Sequence, residues 1–213
     1  MTTAIIADDH EIVRRGLRGI LEHDGVCQVV AEAGDGLAAV QLVERHKPAV
    51  LLLDLNLPRL HGIEVLRQTR TSSPNTRGIV LSMHPDEPYV IAALRGGAMA
   101  YILKGAESRE IAQALTEVLA GRRFLSAPLS EWAINALAAK PVADDDPLAA
   151  LTPRERTVLQ LAAEGHSNPE IAEKLFISPR TAESHRTNLL RKLGLQTQTD
   201  LVRFAIRKNL ISP

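Results

Sequence analysis

AVLLLDL, residues 49–55, is apolar at every position except Asp54. A strand with one face in water alternates apolar and polar side chains. A run without alternation suits a strand covered on both faces, as in a parallel sheet flanked by helices. Four more short apolar runs accompany it, at 3–8, 26–33 (VCQVVAEA), 77–83 (RGIVLSM) and 100–104 (AYILK). Helical patterns lie between them. Ile12, Val13, Leu17, Ile20 and Leu21 form the apolar face of the first, and Ile111, Leu115, Val118 and Leu119 that of the last, over 108–120. Five strands alternating with five helices predict an α/β domain, a five-stranded parallel sheet with helices on both faces.

The polar residues of these runs fall at their ends. In AIIADDHE, residues 4–11, an apolar strand runs into two adjacent carboxylates, Asp8 and Asp9. Asp54 ends the third strand, Ser82 the fourth and Lys104 the fifth. In an open parallel sheet these ends share one edge, where functional groups gather. Three carboxylates against one lysine leave excess negative charge, which a divalent cation would balance. Magnesium takes oxygen ligands and keeps several waters, so Asp9, Asp54 and a backbone carbonyl just past Asp54 would suit it. Any one of these residues alone reads more readily as a polar group in a solvated strand-end loop, but all five at the same edge read as a constellation. A dinucleotide site is a poor alternative, because GDGLAA at 34–39 lacks the G-x-G-x-x-G spacing.

Composition divides the chain. Formal net charge is zero, but residues 148–213 hold ten Lys or Arg against six Asp or Glu, and residues 1–147 hold fifteen against nineteen. An acidic front and a basic back suggest modules with different partners. Apolar residues make up 45% and aromatics only 3%, so the core is expected to be aliphatic. The single cysteine, Cys27, sits in an apolar run and reads as a buried, inert thiol, which fits a reducing cytoplasm. No run approaches the ~18 apolar residues of a membrane span, so the expected location is cytoplasmic. A further helical stretch covers 130–139, and KPVADDDPLAA at 140–150 has the composition of a linker. The predicted divisions are 1–121, a linker with a short helix at 122–147, and 148–213.

The back module is all-α, four helices with clear punctuation. Thr152, Pro153 and Glu155 make a capping box. Gly165 closes that helix, SNPE (167–170) opens the second, Ser178 caps the third, and Gly194 ends it. A fourth begins near Thr199 and carries Leu201, Val202, Ala205 and Ile206. Helices over 169–175 and 179–193, joined by a short turn, form a helix-turn-helix pattern. Ala182, Leu189, Leu190 and Leu193 mark the inner face of the third helix. Arg180, Glu183, Ser184, Thr187, Asn188 and Arg191 mark the outer one. By pattern alone this suits the DNA major groove and a protein-binding domain equally. His10, His23, His46, His61, His84 and His166 lack metal-ligand spacing. His185 reads as a packing residue, and nothing resembles a nucleophile–base pair for hydrolysis.

IIADDHEIVRRGL, LLLDLNLPRLHGIEVL and GGAMAYILK, within residues 3–120, closely resemble the receiver domain of two-component response regulators. The resemblance implies that Asp54 accepts a phosphoryl group from a sensor histidine kinase. It also implies that Asp8, Asp9 and Asp54, with the carbonyl of Asn56, hold Mg2+. Lys104 would contact the phosphoryl oxygens, and Ser82 with Tyr101 would form a switch pair. Many receivers place proline after the lysine, supporting a cis peptide; this chain has Gly105, so that local geometry is not carried over from the resemblance. The segment from LTPRE at 151–155 to FAIR at 204–207 resembles the LuxR-type helix-turn-helix domain. Together the two imply a DNA-binding response regulator of the NarL/FixJ class, a transcription regulator that is not an enzyme. It would bind promoter DNA, as a dimer when active, with third helices about 34 Å apart. Lys174, Arg180, Arg191 and Lys192 would meet the phosphate backbone, with Thr181, Glu183, Ser184, Thr187 and Asn188 also facing DNA. Glu183 departs from the pattern, since lysine or asparagine is common there; a glutamate can accept a hydrogen bond from cytosine. The fourth helix is a candidate dimer surface. The alternatives are a receiver-linked protein-interaction module that does not bind DNA, and a phosphotransferase acting on a small substrate.

Overall fold

The computed structural model describes residues 2–23, 25, 27–83, 85–127, 129, 147–208 and 210–211. The chain divides into two compact units, residues 1–140 and 141–213.

In the first unit, strands β1 (Thr2–Ala7), β2 (Cys27–Ala33), β3 (Val50–Asp54), β4 (Arg77–Ser82) and β5 (Ala98–Leu103) alternate with helices α1 (Glu11–His23), α2 (Gly36–His46), α3 (Gly62–Ser72), α4 (Glu87–Gly96) and α5 (Ser108–Leu119). All neighbouring strands pair in parallel, in the order β2-β1-β3-β4-β5-β6. The sixth strand, β6 (Phe124–Leu125), corrects the five-stranded expectation. It places residues expected to be linker at the edge of the sheet.

The unbroken apolar runs are explained by two cores. Ile5, Leu51, Leu53, Val80 and Tyr101 face α2, α3 and α4, while Ile6, Val50, Leu52, Ile79 and Ile102 face α1 and α5. A wholly buried Leu contributes about 1.5–3 kcal/mol relative to an exposed one, so polar residues are tolerated only where the strands end. Leu17 and Leu21 anchor α1, but Ile12, expected on the same face, is 81% exposed. It lies about half a turn round the helix from Leu17 and Leu21, while its neighbour Val13 packs against the core. The helix expected at 130–139 and most of the 140–150 linker lie outside the described residues.

In the second unit a short 3-10 turn (Pro147–Ala150) precedes α6 (Pro153–Ala163), α7 (Asn168–Leu175), α8 (Pro179–Leu193) and α9 (Gln198–Arg207). Its core gathers Leu159, Leu161, Ile171, Ala182, Leu189, Leu201, Phe204 and Ala205. Helix α8 packs on both α6 and α7. Leu190 and Leu193, expected inside, are only half-buried. Leu201 and Ala205, expected on a dimer surface, are fully buried within this unit; Val202 and Ile206 keep partial exposure.

Candidate functional site

The carboxyl edge of the sheet collects the expected polar residues. Asp54 is the last residue of β3, and Asp8 follows β1, its N–H donating to the Ala33 carbonyl at 3.1 Å. Both are buried, at 6% and 1% exposure. Such carboxylates need a positive partner. The Lys104 Nζ supplies it, 2.8 Å from Asp8 Oδ2 and 2.8 Å from Asp54 Oδ2. Burial pulls the Lys104 ammonium down, but its hydrogen bonds to Asp54 and Asp8 outweigh that and hold it above its ordinary value. The lysine therefore stays charged between the two acids.

Ser82 is fully buried at the end of β4, and the Lys104 N–H donates to its carbonyl at 2.7 Å. Tyr101 is also fully buried, and its hydroxyl is hydrogen-bonded to the Ser82 side chain. Burial pushes the Tyr101 phenol up to about 12 against the opposing Ser82 bond, and the Asp54 charge adds to the rise. The ring is neutral at any physiological pH. Asn56 is exposed in the bend after β3, two residues beyond Asp54. No peptide is cis among the described residues, and Gly105 takes φ +106°, a left-handed value that glycine adopts freely.

Three further residues shape this edge without having been singled out. His10, grouped with scattered histidines in the sequence, has its Nδ1 2.6 Å from Asp9 Oδ1 and its N–H donating to Asp8 Oδ1 at 2.9 Å. Asp8, Asp9 and His10 thus form one potential ligand cluster. The clue was simple adjacency. The Arg14 guanidinium donates to the Asp8 carbonyl at 2.7 Å and to Glu32 at 3.2 Å. Burial raises the Glu32 carboxyl, but hydrogen bonds from Arg18 and Arg14 bring it below its usual range. Gly62 opens α3 directly against the end of β3: a Cβ there would lie 2.4 Å from the Asp54 carbonyl oxygen. Ser126 follows β6 and is 3% exposed.

A cleft of about 890 Å³ lies elsewhere, lined by Lys47, Arg70, Asn75, Arg77 and Arg123 near the opposite ends of the strands. It takes no part in the carboxylate cluster.

In the second unit Thr152, Ser167 and Thr197 each share a capping box with Glu155, Glu170 and Asp200. Helix α8 differs: Ser178 Oγ caps it by accepting from the Thr181 N–H at 3.1 Å, and its first turn holds no carboxylate. Of the residues expected to face DNA, Arg180, Thr181, Glu183, Ser184, Thr187, Arg191 and Lys192 are exposed, and Lys174 and Asn188 half-buried. Several have local partners. The Ser184 hydroxyl donates to the Arg180 carbonyl, Arg191 donates to Asn188, and Lys192 Nζ lies 2.6 Å from Glu155 Oε2. Arg186 ties α8 to Asn168 and Gln198. Phe176, in the turn before α8, has φ +53° and is 89% exposed. His185 is half-buried, in keeping with a packing role.

Comparison with known proteins adds to this geometry. The response regulator receiver domain model matches residues 4–116, and that of the bacterial regulatory proteins of the luxR family matches 149–205. The oxygen regulatory protein NreC of Staphylococcus aureus (strain MRSA252) is 39% identical over 212 residues, 97% of this chain and 98% of NreC. RcsB of Salmonella enterica serovar Typhimurium, solved on a promoter with the phosphomimetic BeF3−, is 30% identical. It aligns with TM-score 0.59 over 95% of this chain and 97% of that one. A structure of two RcsB dimers on two parallel DNAs gives the same values. No helix among the described residues is long and apolar enough to cross a membrane.

Proposed function

Because this chain belongs to the response regulators that join a receiver to a LuxR-type domain, and is thus a phosphorylation-dependent transcription regulator rather than an enzyme, we propose that Asp54 is its phosphoacceptor and α8 its DNA-reading helix. The observation that carries the first assignment is Lys104, held at 2.8 Å from both Asp54 and Asp8 at the open edge of the sheet. One carboxylate oxygen of Asp54 forms the bond to phosphorus as the bond from phosphorus to a histidine nitrogen of the sensor kinase breaks. That nitrogen leaves with the electron pair and takes up a proton. Lys104 pairs with the arriving oxygens, and the Ser82 hydroxyl donates to one of them. Asp8, Asp9 and Asp54, with the Asn56 carbonyl, are hard oxygen donors whose charge one lysine does not balance, and they fit Mg2+. When bound, the ion screens the carboxylate and phosphoryl charges from each other.

The second assignment is supported by the outer face of α8. Arg180 and Arg191 are exposed, and no carboxylate crowds the first turn, so the positive end of the helix is available to a phosphate. RcsB has been solved on a promoter and as dimers on DNA. The same use is proposed for this chain, in the cytoplasm and as a homodimer when phosphorylated, with promoter DNA as partner. A protein-binding role for the helical unit is the less favoured reading.

The test is to incubate the protein and an Asp54→Asn variant with acetyl phosphate and Mg2+, reading intact mass and oligomeric size together. An adduct of one phosphoryl group in the parent alone supports the assignment, and a size increase supports phosphorylation-driven dimerisation. No adduct in the parent overturns it.

A further inference from the structure

The segment beyond α5 stays bound to the strand that carries the switch tyrosine. Phe124 and Leu125 pair with Ala100 and Tyr101 of β5. Ser126 continues the contact: its N–H donates to the Tyr101 carbonyl at 3.0 Å, and its Oγ accepts from the Leu103 N–H at 3.2 Å. The Ser126 hydroxyl in turn donates to the Glu110 carboxylate on α5. A two-residue strand holds little by itself. This one is secured by buried Ser126 and by Leu129, 1% exposed and packed in the same core as Tyr101. The other edge of β5 faces the phosphorylation site. Tyr101 is paired with Val80, Leu103 with Ser82, and Lys104 comes next. Four residues of chain, 101–104, therefore bear the switch ring, the charged lysine and every hydrogen bond of β5 to Ser126.

We propose that Ser126 is the positioning residue that transmits the state of Asp54 to the chain leading into the LuxR-type unit. The inference rests on Asp54 being the phosphoacceptor. A phosphoryl oxygen that draws on the Ser82 hydroxyl competes with its bond to Tyr101, and one that draws on Lys104 pulls at the end of β5. Ser126 is bonded to the backbone of Tyr101 and Leu103, so it follows that readjustment, and its bond to Glu110 passes it on to α5. Ser126 touches none of the reacting groups.

The test uses the full chain, with Ser126→Ala, Ser126→Thr and Glu110→Ala variants, and a duplex selected from a random library on the acetyl phosphate-treated parent. In the parent, adduct formation is expected to change DNA affinity at least tenfold. Ser126→Ala is expected to form the adduct at the parental rate within twofold while its affinity ratio falls toward one; Ser126→Thr restores the ratio. Glu110→Ala, a change at the surface of α5, gives the same loss and serves if Ser126→Ala fails to fold. A merely structural role would alter stability and leave the ratio unchanged. An unchanged ratio in the folded variants overturns the inference, as does a parallel loss of adduct formation. A parent that forms no adduct overturns the phosphoacceptor assignment itself, and the inference with it.

Discussion

Lys104 shows how one side chain can both stabilise the resting site and prepare it. Two buried carboxylates are tolerable because one ammonium lies 2.8 Å from each. Removing one partner of a buried ion pair costs about 3–5 kcal/mol, since the remaining charge stays unpaired. Lys104→Ala is therefore expected to lower the urea midpoint of the receiver by a corresponding amount, with Mg2+ restoring part of the loss. An unaffected midpoint in metal-free buffer would contradict that account. Gly62 acts by what it lacks. A methyl group would press on the Asp54 carbonyl, and overpacking of this kind costs about 1–3 kcal/mol. Gly62→Ala is expected to destabilise the receiver and slow acetyl phosphate labelling. A normal labelling rate would show that the acceptor tolerates the displacement. The placing of Asp8, Asp9, Asp54, Ser82 and Lys104 was legible because each lies at the end of a strand of one parallel sheet or one or two residues beyond it. Gly62, Arg14 and Ser126 were not, because their roles depend on how loops fold back on the strands rather than on any periodic pattern: Arg14 reaches the Asp8 carbonyl across the loop after β1, and Gly62 meets the Asp54 carbonyl across the loop after β3.

Among the elements, the main strands could be read because an apolar run without alternation admits few other meanings. Strand β6 could not, since two residues make no period and it is held by Ser126 and Leu129 from outside. Ile12 failed for a different reason: at 3.6 residues per turn it lies about 140° and 180° round the helix from Leu17 and Leu21, whereas Val13, on their side, packs against the core. In the second unit the caps of the first three helices were readable as sequence, but the fourth, expected to begin near Thr199, is capped by Thr197 with Asp200, and the wider links of the caps were not legible. Glu155 both caps α6 and holds Lys192 of α8. Burial raises its carboxyl, while the bonds from Lys192 and Thr152 prevail and hold it below the ordinary 4.5. A carboxyl lowered by folding contributes stability above its unfolded value and loses it as pH falls through the folded one. The DNA-binding unit is thus expected to weaken below pH 4.5. Glu155→Gln should flatten that part of the urea-midpoint profile; an identical acid slope in the variant would assign the sensitivity to other groups.

For the whole molecule, zero net charge conceals an acidic front half and a basic back half. Composition could indicate two modules, but it could not say that the first extends through Phe124–Leu125. Nor does the charge of a helix whose exposed side includes Glu183 declare its partner. If α8 meets phosphates, duplex affinity must fall steeply with salt through counterion release. Arg180→Ala and Arg191→Ala should each reduce the slope of log affinity against log salt by about one. A slope untouched by both would remove them from the interface, and a flat salt response in the parent would favour the protein-interaction alternative.

Cys27 gives the molecule a natural clock. It is the chain's single cysteine, fully buried in the receiver core, and burial and the nearby Glu22 charge raise its thiol above the ordinary value. An alkylating reagent must wait for the receiver to open before it can react. Each chain can gain only one label, so the labelling rate reports the opening of that unit alone, in an unmodified protein whose DNA-binding unit carries no thiol. Timing that single event with and without acetyl phosphate would weigh the phosphorylated receiver directly against the resting one.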